Sequence, residues 1–311
     1  MINRIIIRIK VLQIIYAYYQ KENNDLKAAE KELIFSMEKA YDLYHHLLDL
    51  ISILTDYEQK RLDRKKHKIL ATDEELNPNT RFIDNRLAEQ LRTNAQLNKF
   101  MNEKGRLWNE EDSHFIRTLS EKITQSDIYL EYLDSNDSYE TDRDFWRKAI
   151  KNIILPAPEL AESLEEKSIY WEDDLDIIGT FVLKSIKKFD SQSSKGEPLL
   201  PMFKDDEDRQ FAIRLLHRTI LEEKENNERI TKHIKNWDID RIASMDLYIL
   251  QIALSEILNF DSIPLNVTMN EYIDLARYYS TPKSPVFING ILDAIIGELK
   301  TEKILLRTKE S

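Results

Sequence analysis

The 311-residue sequence contains no cysteine. That excludes a disulfide scaffold, Cys-ligated zinc, iron–sulfur clusters and any thiol nucleophile. Glycine is scarce too, with five residues, against an average usage of roughly 7%. Doubly wound folds and β-sandwiches need glycine for tight turns, bulges and phosphate loops. The shortage favours helices joined by short polar turns. No uninterrupted apolar stretch approaches the ~20 residues of a membrane span. The run Ile5-Ile6-Ile7 is broken by Arg8 and Lys10 and lacks a small-residue cleavage site. It reads as neither signal peptide nor anchor, so a cytoplasmic protein without membrane contact is expected. The sequence has no G-x-x-x-x-G-K-[ST], G-x-G-x-x-G, H-E-x-x-H or G-x-S-x-G motif. His45 and His46 are adjacent and point about 100° apart on a helix, which does not suit a shared metal. No catalytic residue, metal or cofactor is expected.

Charge is abundant but unbalanced. The formal net charge is −11 and the isoelectric point is near 5.2. A general nucleic-acid coat protein is basic, so an RNA role here requires a local basic patch. Residues 1–22 hold four bases and one acid, a net +3. Residues 205–311 carry −5 and residues 23–204 carry −9. The basic segment of this acidic protein is its first helix.

The apolar spacing predicts helices nearly throughout. Residues 3–21 form the first, capped by Asn3. Residues 25–68 form one long helix or two, with Leu33, Met37, Tyr41, Tyr44, Leu48, Ile51 and Leu54 spaced by three and four along one face. Asn77-Pro78-Asn79 is a turn, followed by helices near 80–100 and 110–132. After a polar break at 134–138, a helix from Arg143 to Ile154 stops before Pro156. Two more lie within 159–188. Residues 189–204, with Ser191-Gln192-Ser193-Ser194-Lys195-Gly196-Glu197-Pro198, are the clearest loop and mark a boundary. Helices at about 206–235, 239–259, 268–279 and 284–304 complete the chain. The 206–235 helix opens on four acids that suit its dipole.

Two readings compete for the basic residues. Arg4 and Arg8 are four apart and share a helix face that Ile15 and Tyr19 continue. Arginines and tyrosines so placed hold RNA phosphates and stack bases. The same residues also fit a core helix with snorkelling arginines. The run Lys60-Arg61-Leu62-Asp63-Arg64-Lys65-Lys66 either complements a helix C-terminus or faces RNA.

One set of strings is specific. It reads Trp237-x3-Arg241-Ile242, Asp246-x2-Ile249-Leu250-x-Ile252-Ala253-x2-Glu256-Ile257, Ile263-Pro264-x2-Val267-x2-Asn270-Glu271-x4-Ala276-Arg277 and Ser284-x2-Phe287-Ile288-Asn289-Gly290-x-Leu292-Asp293. These resemble the C-terminal half of the NusB family of transcription antitermination proteins. Arg4, Arg8 and Gln13-Ile14-Ile15-Tyr16 are similar to that family's opening helix. The resemblance covers residues 1–22 and about 205–305, somewhat under half of the chain. It implies an RNA- and partner-binding core, a 23–204 helical insert that the family does not explain, and a 306–311 tail.

The implied fold is all-α, a helical bundle of two small subdomains elaborated by an extra helical layer. The implied function is non-catalytic. Such proteins bind boxA-type RNA of ribosomal leader transcripts together with the ribosomal protein NusE, and act on the transcription elongation complex. By position, RNA contacts fall on Arg4, Arg8, Lys10, Gln13, Lys283, Ser284 and Phe287. Partner contacts fall on Tyr16, Asp246 and Phe287. The chain departs from the family at Ile5 and Ile6, where arginines are common, at Gln251, often arginine, and at Lys283, often acidic. Phe287 is either core or interface. Asn270-Glu271 is expected to brace helices, and Asn289-Gly290 to let two helices pack closely. The acidic insert is expected to form a helical layer that leaves the Arg4/Arg8 face exposed. Two other functions remain open. One is a protein-binding scaffold without RNA affinity. The other is an accessory module of an rRNA-modifying system, which lacks here the cysteine and glycine-rich loop of the methyltransferases that carry such a module.

Overall fold

The computed structural model describes residues 1–21, 24–191, 198–234 and 243–305. Trp237, Arg241 and Ile242, most of the 191–198 loop and the 306–311 tail lie outside the described residues. The described residues are α-helical, with no strand beyond one isolated parallel bridge between Ile2 and Phe203. The all-α expectation therefore holds. No described helix is long and apolar enough to cross a membrane.

The helices in order are α1 (Arg4–Tyr19), α2 (Leu26–Lys66), α3 (Asp73–Leu76), α4 (Arg86–Arg92), α5 (Ala95–Lys104), α6 (Ser113–Thr124), α7 (Asp127–Asp134) and α8 (Tyr139–Ala149). Then come α9 (Pro158–Lys167), α10 (Leu175–Lys188), α11 (Asp206–Leu221), α12 (Glu223–Ile234), α13 (Ser244–Asn259), α14 (Leu265–Tyr279) and α15 (Ser284–Thr301). A 3-10 turn, Glu110–Asp112, precedes α6, and a π turn, Ile150–Ile154, extends α8.

Asn3 caps α1 by accepting from the Ile6 amide at 3.1 Å. Residues 25–68 hold one helix rather than two. Three predicted helices are broken, two of them where a polar side chain offers the backbone an alternative bond. Asn94 accepts from the Gln96 and Leu97 amides and restarts the 80–100 segment as α5. Ser126 does the same for α7, accepting from Tyr129. Near residue 222 the 206–235 segment divides into α11 and α12. Such side chains favour caps over helix interiors.

The chain divides into two compact units. The middle unit holds Met1 and Glu38–Met202; the terminal unit holds Ile2–Met37 and the chain from Phe203 on. In the terminal unit α1 packs on α11 and α13, and α13 packs on α14 and α15. The core draws on Ile7, Val11, Ile15, Leu215, Ile252 and Leu292, all buried. In the middle unit the core is aromatic. Phe82, Phe145 and Trp146 meet with ring centroids 5.4–5.7 Å apart, in the edge-on and tilted geometries that aromatic quadrupoles favour. Tyr132 stacks on Phe145 at 4.3 Å.

Candidate functional site

Helix α1 is apolar on nearly every side, and a helix of that kind is buried. Ile6, Ile7, Ile9, Val11, Leu12, Ile14 and Ile15 are all covered. That pattern decides the fate of its charges. Arg8 is 2% exposed, and its guanidinium pairs bidentately with Glu256 of α13, Nε to Oε2 at 2.8 Å and Nη2 to Oε1 at 2.7 Å. Its remaining nitrogen, Nη1, lies 3.3 Å from Glu271 of α14. Glu256 also accepts from Thr268 Oγ1 and Tyr272 OH, each at 2.8 Å. Burial alone would lower the Arg8 pKa, but the Glu256 hydrogen bond and the surrounding carboxylates raise it, so the ion stays charged. Burial lifts Glu271 above its ordinary value despite Arg8. The Tyr272 hydroxyl, buried beside Glu256, is raised well above its own.

The expectation that both arginines face solvent is therefore corrected. Arg8 is interior, covered within the terminal unit itself. Lys10 is 0% exposed. The two lie two positions apart, on opposite sides of a helix packed on both sides. Arg4 is partly open, but its Nη2 meets Glu207 at 2.7 Å and its Nε meets Asp208 at 3.4 Å. Its guanidinium also lies 5.0 Å from the Phe211 ring centroid. The acids that suit the α11 dipole thus also engage Arg4.

The second cluster joins α13 to the α14–α15 corner. Buried Asp246 accepts from Ser280 Oγ at 2.6 Å and from Ser284 Oγ at 2.9 Å. Ser284 Oγ in turn accepts from the Thr281 amide at 3.1 Å. This clasp fixes the turn that carries Lys283, whose side chain is exposed. Phe287 is on the core side, 8% exposed, whereas neighbouring Val286 is 78% and Tyr278 is 79% exposed. Sequence reasoning missed these two. For Val286 the signal lay in the spacing: it falls off the apolar stripe formed by Phe287, Ile288, Ile291 and Leu292.

Tyr16 is exposed on α1 and meets Tyr248 edge-on at 6.2 Å, while Tyr19 stacks on Tyr248 at 5.4 Å. Gln13 is half-buried. The Asn289-Gly290 expectation is overturned in part: a Cβ built on Gly290 meets nothing within 4 Å, so close helix packing is not its purpose. Glu271 does brace α14 against α1 through Arg8. Among the described residues no cluster of three or more metal-ligating side chains occurs.

A model of the NusB family matches residues 180–297. The transcription antitermination protein NusB of Salinibacter ruber is 39% identical over 109 residues, covering 35% of this chain and 68% of that protein. Its counterpart from Geotalea daltonii is 36% identical over 133 residues, covering 43% and 89%. That of Geobacter sulfurreducens is 38% identical over 123 residues, covering 38% and 89%. No solved structure matches the chain.

Proposed function

The chain belongs to the NusB family, and on that premise we propose that it is a transcription antitermination factor that acts by binding and catalyses no reaction. It binds boxA-type leader RNA together with the ribosomal protein NusE and joins the transcription elongation complex. The observation that carries this reading is kinship: relatives at 36–39% identity, most of whose length the chain covers, bear that name.

The geometry supports a narrower set of ligand contacts. Lys283 presents an open ammonium from a corner held by Asp246, Ser280 and Ser284. Arg4 reaches RNA by exchanging Glu207, itself largely exposed, for a phosphate. Arg8, Lys10, Gln13, Ser284 and Phe287 stand behind that surface and set its shape. Tyr16, Tyr278 and Val286 offer apolar area to NusE, with Asp246 positioning the corner from beneath. A protein partner seeks such aromatic and aliphatic anchors rather than charge.

Fluorescence anisotropy with boxA RNA and a scrambled RNA of equal length, with and without NusE, tests the proposal. The expected result is tighter binding to boxA than to the scrambled strand, strengthened by NusE. A folded protein that gives equal affinities for both RNAs under both conditions overturns it. Binding of NusE alone, with no RNA affinity, supports the scaffold reading instead.

A further inference from the structure

The middle unit carries the most negative part of the sequence, yet one of its surfaces is basic. Helix α8 with its π turn runs beside α10. Arg143, near the start of α8, donates to the Phe189 carbonyl just past the end of α10 at 3.2 Å. At the other end, Leu155 follows the π turn, and its amide donates to the Ile150 carbonyl at 2.9 Å. The Leu155 side chain packs against Gly179 of α10. A Cβ on Gly179 would lie 2.7 Å and 2.9 Å from the two Leu155 methyl carbons. Glycine thus lets the two segments approach, antiparallel, at that point.

The approach creates a groove of about 380 Å³ lined by Arg147, Lys148 and Lys151 on one side and Lys184 and Lys187 on the other. Asn152 and Leu183 complete it, and among the described residues no acid lines it. The spacings 147/151, 148/152 and 183/187 each advance about one helical turn, which aligns each row on one face. Arg147 and Lys148 each make one long ion pair, with Asp144 at 3.7 Å and Glu131 at 3.8 Å. Among the described residues Lys151, Lys184 and Lys187 pair with no carboxylate, and Lys184 lies over the Phe181 ring at 4.8 Å. The three lysines without a carboxylate, held close together beside two further cations, repel one another and gain by neutralisation.

We propose that this groove binds the phosphodiester backbone of RNA, as a second contact region in the middle unit. The identity of the nucleic acid rests on the RNA-binding reading above; the basic groove stands without it. An RNA backbone fits better than an acidic protein. Protein interfaces are depleted in lysine at their cores and need apolar anchors, and among the described residues Leu183 is the one apolar residue of the lining. Asn152 supplies a neutral donor and acceptor of the kind that meets phosphate and sugar oxygens. Among the described residues no aromatic ring lines the groove to stack a base, so recognition there is independent of sequence.

The test is the salt dependence of RNA binding by the full chain. Lys151→Glu/Lys187→Glu is compared with wild type and with Lys68→Glu/Lys99→Glu, which makes the same charge change at exposed sites outside the groove. The probe is a single-stranded RNA that contains boxA followed by unrelated sequence. Each single-strand phosphate contact contributes about 0.7 to the log–log salt slope. The groove variant is expected to bind more weakly, with a slope shallower by about 1.4, while the control pair keeps the wild-type slope. All four positions are exposed, and circular dichroism confirms folding. A groove variant with wild-type affinity and slope overturns the proposal, and does so without touching boxA preference. Loss of boxA preference with a groove-dependent slope leaves the groove standing and overturns the function proposed above. A polyglutamate peptide that binds the groove where RNA does not overturns the proposal in favour of an acidic protein partner.

Discussion

In the terminal unit the arginines of the basic first helix meet carboxylates: Arg8 meets Glu256 and Glu271, and Arg4 meets Glu207 and Asp208. In the middle unit, net acidic by sequence, Lys151, Lys184 and Lys187 line a groove with no acid among its described residues. Net charge over a segment therefore says little about where a phosphate can bind. What matters is whether folding supplies each cation with a partner. An ion pair already buried releases no counterions on meeting RNA, whereas an open lysine does.

The sharpest way to break this contrast is to remove half of the buried pair. Arg8→Ala leaves Glu256 charged in the interior, and a cost of about 3–5 kcal/mol is expected, measured by urea denaturation. Arg8→Met/Glu256→Gln, which keeps an acceptor for Thr268 and Tyr272, should recover much of that loss. Equal destabilisation of the single and double variants would show that packing rather than uncompensated charge dominates.

Buried titratable groups of the middle unit also respond to acid. His45 and His46 of the middle unit are held near pKa 4 by burial, against an ordinary 6.5. His45 Nδ1 donates to the Tyr41 carbonyl at 2.9 Å, and its ring stacks on Phe100 at 4.2 Å. The unfolded chain takes up these protons near pH 6.5 and the folded chain does not. The stability present above pH 6.5 is therefore lost as pH falls from there toward 4. Asp49, raised by burial to about 6, acts in the opposite sense, contributing stability that is lost as pH rises through 6. Asp42 and Glu271, also raised by burial, act in the same sense as Asp49, and the two histidines, shifted furthest, are expected to set the sign, a net loss as pH falls from 6 to 5. Thermal melts at pH 7 and pH 5 check this, and His45→Gln/His46→Gln should flatten or reverse the dependence.

A smaller effect is expected at the corner. Asp246→Ala leaves Ser280 and Ser284 without their shared acceptor and should cost about 1–3 kcal/mol. It should also weaken NusE and boxA binding beyond what the melt explains, because Lys283 loses its fixed position. Smallest is Gly290→Ala. With open space around the added methyl, helix propensity alone predicts a gain of up to about 1 kcal/mol, seen as a raised Tm. A loss of partner binding there would place Gly290 in an interface.

Much of the fold was legible because its signals are local. Asn3 as a cap, the 25–68 periodicity and the acids opening α11 each speak through neighbours within one turn. The breaks at Asn94 and Ser126 were not, because a polar residue on a helix surface and a polar cap look alike until the backbone turns. The family strings located Asp246, Glu256, Ser284 and Phe287, but not what they touch. Arg8 and Glu256 are 248 positions apart, and Asp246 and Ser284 are 38 apart; only tertiary packing brings them together. The groove was hidden by averaging, since its lysines sit in two short stretches within a net −9 segment.

The most direct measurement is the salt slope of RNA binding for Arg8→Met/Glu256→Gln set beside Lys151→Gln/Lys187→Gln. Partnered cations are already neutralised and open ones are not. The first variant should therefore keep the wild-type slope, while the second becomes shallower by about 1.4. A slope that falls when the buried pair is removed and stays fixed when the groove lysines are neutralised would contradict that account.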